Sequence, residues 1–115
     1  MDPTELVLSI LDGVTGAPVT TEVPSDRPGR MVTVALEQDR STPYLLRPTY
    51  DIMCWGDSDR DAASMARACV DALWEAALDH PYLSACSLQT LSRDSWGRTG
   101  QARYVAVVDL TINID

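Results

Sequence analysis

The chain has no lysine: all nine of its basic residues are arginine, set against 17 aspartates and glutamates for a formal charge of −8. That balance argues against a surface built to grip nucleic acid phosphates, which needs a basic stripe that gains affinity by releasing counterions. Histidine is nearly missing too. Any Ser-His-Asp or Cys-His pairing would have to run through His80, which stands in "DHP" where a helix is expected to end and an imidazolium can face the last carbonyls. Cysteine is scarce and odd in number. Cys54, Cys69 and Cys86 have neither the short paired spacing of a zinc site nor the even count of a disulfide framework, so free thiols in a reducing cytosol are expected. Long apolar runs are absent, none approaching the roughly 18 residues of a membrane span. Met1 is followed by Asp2 and Glu5 in place of a basic leader region, so the expectation is a soluble, unprocessed chain with no membrane partner.

What is present fits one modest core. A length of 115 residues suits a single domain over residues 1–115. "DPTE" offers Asp2 as N-cap, Pro3 at the first helical position and Glu5 three residues after the cap. Leu6, Val7, Ile10 and Leu11 give that short helix an apolar face, and Gly13 can end it. The Pro-rich "GAPVTTEVPSDRPGR" allows at most a short edge strand at residues 19–23. In "MVTVALE", Val32, Val34 and Leu36 alternate with Thr33, Ala35 and Glu37. After a turn at "QDRSTP", Tyr50, Ile52 and Cys54 alternate with Arg47, Thr49, Asp51 and Met53, so the two strands are expected to pair as a hairpin.

From residue 58 to about residue 78 the hydrophobic period becomes helical, with Ala62, Met65, Ala66, Cys69, Leu73, Ala76 and Ala77 in one stripe. So many alanines let a helix lie close on a sheet. "YLSACSLQTLS" alternates moderately, and "RYVAVVDLTINID" is the clearest strand, with Tyr104, Ala106, Val108, Leu110, Ile112 and Ile114 on one face. The element order α, β, β, α, β, β predicts an α+β fold: a mainly antiparallel sheet of four to five strands, one long helix on one face, and a short N-terminal helix. Val105, Val107, Met53 and Trp55 make the second sheet face only partly polar, so the N-terminal helix or a neighbouring copy is expected to cover part of it.

"DSDRD" places Asp57, Asp59 and Asp61 at the alternate positions that open a calcium loop. The position that needs glycine is Ala62, however, and the one that needs a bidentate glutamate is Ala68. As a joint the segment works: Gly56 ends the strand, Ser58 caps the helix, and the carboxylates sit where the helix dipole favours negative charge. No nucleophile elbow, phosphate-cradling glycine loop or His-x-x-x-His pair occurs. No enzymatic activity, metal or cofactor is expected.

The contact residues expected from exposure are Arg40 in "EQDRSTP", Trp96 with its flanking Arg93 and Arg98 in "RDSWGRTGQ", and Trp55 in the outward phase of its strand. Trp74 is expected to be half-buried on the helix flank.

In order, "VPSDRPGRMVTVALE", "RPTYDIMCWGDSDRDAASMARACVDAL" and "SWGRTGQARYVAVVDLTI" resemble the tail terminator proteins of long-tailed bacteriophages, especially those infecting high-GC actinobacteria. The arginine-only basic set agrees with GC-rich coding. The likeness covers nearly the whole chain and rests on the Asp26-Arg27-Pro28 turn before a Val-rich strand, the strand ending in Trp55 before an acidic cap, and the Arg103-Tyr104 opening of the last strand. The resemblance implies a virion protein, assembled in the host cytoplasm, that forms a ring, typically a hexamer, at the head-proximal end of the tail tube. Such a ring stops tube polymerisation and joins the head connector or stopper, while DNA passes its channel without sequence-specific binding. Other neck adaptors, such as head-closure or tail-completion proteins, and a small ligand-binding α/β domain are the competing expectations.

Overall fold

The structure is a computed structural model that describes residues 2–24, 29–94 and 102–113. Helix α1 spans Pro3–Leu11, and the Thr4 N–H donates to the Asp2 carboxylate at 3.0 Å, as the capping pattern predicts. Gly13, with φ of 79°, takes the left-handed conformation after the helix. Strands β1 (Val19–Thr20), β2 (Met31–Asp39), β3 (Leu45–Leu46) and β4 (Pro48–Gly56) follow, then helix α2 (Asp59–Asp79), β5 (Leu83–Arg93) and β6 (Ala102–Asn113). The architecture is α+β, as expected, with a curled, mostly antiparallel sheet.

The expected hairpin is present: β2 pairs antiparallel with β4, with Val32 opposite Cys54 and Val34 opposite Ile52. β6 lies between β4 and β5, since Val108 faces Tyr50 on one side and Leu88 on the other. β1 adds a parallel edge to β2 at Val32 and Thr33. The two-residue strand β3, which sequence periodicity does not resolve, extends β4 along β6. Leu45 faces Asn113, Leu46 faces Ile112 and Thr49 faces Asp109, one continuous register interrupted at Arg47 and Pro48.

Both helices serve one face of the sheet. α2 lies over β4, β5 and β6, while α1 packs on α2, β1 and β2. Val7, Leu11, Val32, Ile52, Cys69, Leu73 and Val108 belong to one buried cluster, and the Tyr50 hydroxyl meets the Thr4 hydroxyl at 2.8 Å. α1 therefore does not cover the second sheet face. Leu36, placed with Val32 and Val34 by alternation, is 53% exposed. The irregularity between Leu36 and Gln38 falls there, and the last four residues of β2 are all exposed.

Candidate assembly surface

The acidic segment at the β4–α2 joint is built as a structural joint. Ser58 caps α2 by accepting from the Asp61 N–H at 3.1 Å. Asp61 in turn accepts from Arg30 Nε at 2.8 Å and Nη2 at 3.0 Å, and from the Asp57 N–H at 2.9 Å. These donors, Arg30 first, hold its carboxyl below the ordinary carboxylate range. Asp59 pairs with Arg93 at 3.1 Å. A Cβ on Gly56 would lie 2.5 Å from the Ala62 nitrogen, so glycine is what lets the strand end this close to the helix. Among the described residues, no group of three His, Cys, Asp or Glu side chains could hold a metal ion.

The three expected contact residues that are described, Arg40, Trp55 and Arg93, fall at opposite ends of the sheet. Arg93 and Trp55 are at the end where β4 runs into α2, Arg93 opposite Tyr104 and Trp55 opposite Arg103. Trp55 does point away from the helices, yet it is only 3% exposed. The Arg103 guanidinium lies 5.2 Å over its ring and is itself held by Asp94. An outward position in a strand is thus not a free surface when a long cation folds over it. Trp96 and Arg98 lie outside the described residues, as do Asp26, Arg27 and Pro28.

Arg40 sits at the other end, where its backbone N–H donates to the Arg47 carbonyl at 3.1 Å and its guanidinium meets Asp109 at 3.2 Å. Asp109 also accepts from the Thr49 hydroxyl and from the Gln89 amide at 2.8 Å. Those bonds, Thr49 first, overcome partial burial and lower its carboxyl pKa. The connection itself is pinned. Ser41 donates to Asp39, and the Thr42 hydroxyl accepts from the Tyr44 and Leu45 N–H groups at 3.2 and 3.1 Å. That turn holds Tyr44 outward, 82% exposed.

Two further exposed apolar side chains are on α2. Leu78 is 87% exposed, and Trp74, one turn earlier, is 36% exposed beneath the Arg67 guanidinium at 5.4 Å. Composition hides Tyr44 and Leu78, although "TPYLL" is a turn carrying three apolar residues and Leu78 lies off the alanine stripe.

On the second sheet face, Asp51 and Glu37 stand on the paired strands β4 and β2. Burial first, and then Glu37, push the Asp51 carboxyl up to about 6, and its Oδ1 is buried with no hydrogen-bond partner. His80 caps the C-terminus of α2, but its Nδ1 accepts from the Tyr82 N–H at 3.1 Å. Cys54 and Cys69 are buried free thiols, and Cys54 is raised by its hydrogen bond with Cys69 and by burial. Burial, with the Asp109 charge second, lifts Cys86 to about 11. Raised thiols of this kind, at Cys54 and Cys86, are poor nucleophiles.

No family model matches the chain, and no curated protein matches it. A solved structure described as "Virion of native gene transfer agent (GTA) particle" contains a chain of the same fold. The match has a TM-score of 0.64 at 17% identity, and covers 96% of this chain and 91% of that one.

Proposed function

We propose that this chain is a structural, non-enzymatic component of a phage-like virion, and within it a ring-forming tail terminator at the head-proximal end of the tail. The observation that carries the proposal is the likeness of fold over nearly the full length of both chains to a component of a gene transfer agent virion. The terminator role is supported by the order of the sequence segments described above. The molecule's layout agrees with it. Contact candidates lie at the two ends of one sheet, Arg40 and Tyr44 at one and Arg93 at the other, and a ring subunit needs two different axial faces for two different partners. In this role the chain assembles with copies of itself, as a hexamer in the form the resemblance implies. It binds the tail tube protein on one face and the connector or stopper on the other. An acidic subunit leaves passing DNA unbound.

The test is to mix the purified chain with the matching tube protein and measure tube lengths by electron microscopy. Tubes of limited length, capped at one end by a ring, are the expected result. Unlimited tubes with no added density would reject the terminator role and leave the neighbouring neck adaptor, which draws on the same likeness of fold.

A further inference from the structure

Among the described residues, the sheet has two open edges. Among the described residues, β5 is paired only with β6, so one side of this strand, Leu83–Arg93, presents unpaired backbone donors and acceptors. Such an edge is usually blunted by lysine, proline, an inward charge or a bulge, and of these β5 has only register shifts, between Leu83 and Ala85 and between Leu88 and Thr90. Residues 83–92 contain no proline and no charge, and Ser84, Ser87, Gln89, Thr90 and Ser92 are exposed. At the other end of the sheet, β1 pairs with β2 only at Val32 and Thr33, so residues 35–39, which carry Glu37 at the register shift and Asp39, face β4 on one side and, among the described residues, have no strand on the other.

These edges are complementary in three respects. The first is sense: β2 is antiparallel to β4, β4 to β6 and β6 to β5, so copies set side by side in one orientation bring β5 against a neighbour's β2 antiparallel. The second is level. Ala35 faces Asp51, which faces Val107, which faces Thr90; Gln38 likewise connects through Thr49 and Asp109 to Ser87. The third is charge. Two β2 edges would bring Glu37 and Asp39 against their own copies, and like charges directly opposite are destabilising. The uncharged, hydroxyl-rich β5 edge has no such conflict.

We propose that the free edge of β5 is completed by residues 35–39 of β2 from a second copy of this chain, about residues 87–90. The contact is head-to-tail, so it leaves one edge open on each terminal copy until the assembly closes. It supplies an inter-copy contact for the ring proposed above, and rests on that role only for closure.

Cross-linking tests it. In a Cys86→Ser background, Gln38→Cys and Ser87→Cys are combined, treated with a short bismaleimide at the highest soluble concentration, and compared with each single variant. A ladder of covalent oligomers from the double variant, with none from either single one, is expected. Dimers from Ser87→Cys alone would overturn the proposal in favour of a symmetric β5 pairing, and the absence of any ladder would overturn it outright. The unmodified chain gives an independent check by hydrogen exchange. Amides in residues 87–90 and 35–39 are expected to slow with concentration. Slowing confined to the Trp74 and Leu78 face of α2, or no slowing, counts against the edge contact. Capped tubes without cross-links would remove this contact and leave the terminator role standing; cross-links with uncapped tubes would do the reverse.

Discussion

Asp51 and Gly56, five positions apart on β4, depend on their surroundings in opposite ways. Asp51 is a carboxyl whose folded-state pKa is raised to about 6 by burial and by Glu37, so the folded chain holds a proton that the unfolded chain has released. Its contribution to stability is present at low pH and is lost as pH rises from the ordinary carboxylate range through about 6. Asp51→Asn removes that dependence. Thermal melts of both proteins should show the variant gaining on the parent between about pH 4 and pH 7, by about 1 kcal/mol on this partly solvated face. No difference in slope would mean that Asp51 does not titrate in this range. Gly56 has no titrating role, only space: a methyl there would meet the backbone of Ala62, which cannot swing aside. Gly56→Ala should cost about 1 to 3 kcal/mol in urea unfolding, the range for overpacking.

At the scale of elements, both helices begin where the sequence predicts, because capping chemistry is local. Ser58→Ala, which removes the acceptor for the Asp61 N–H, should lower stability by about 1 kcal/mol. Leu73→Ala, at a fully buried site beneath α2, should cost about 2 to 5 kcal/mol by the same measurement. The hairpin, the helix stripe and the last strand were also legible, each from a period that needs only neighbours along the chain. β1 and β3 were not fully so, since two residues carry no period and their pairing depends on partners far away in sequence. Trp55 and Leu36 reversed their expected exposure for a related reason. Alternation assigns a side chain to a face, but whether that face is covered depends on Arg103 in one case and on the exposed end of β2 in the other.

At the scale of the molecule, the two helices share one face of the sheet and do not pack on the other. That face is less bare than an uncovered sheet: Met31, Thr33, Thr49 and Trp55 are buried, and the irregularities at Glu37 and Gln89 add twist and bending. Among the described residues, two sheet edges, a turn bearing Tyr44 and the Trp74–Leu78 flank of α2 are open. If the edges carry the contact between copies, Leu78→Ser should leave oligomer size by sedimentation unchanged, whereas Thr90→Lys, a charge on the β5 edge, should shift the population toward monomer. A loss of oligomers from Leu78→Ser would transfer the contact to the helix.

Composition and local pattern by themselves determined that this chain is an acidic α+β protein with an alanine-faced helix, a capped strand-to-helix joint and no catalytic template. Each of those properties is set within a turn of helix or a stretch of strand. Only the tertiary structure decided that α1 joins α2 on one face, that Trp55 is sealed by Arg103, and that, among the described residues, the outer edges of β5 and of the end of β2 are left open. Exposure and edge position are properties of what stands opposite a residue, and that is set by chain segments distant in sequence.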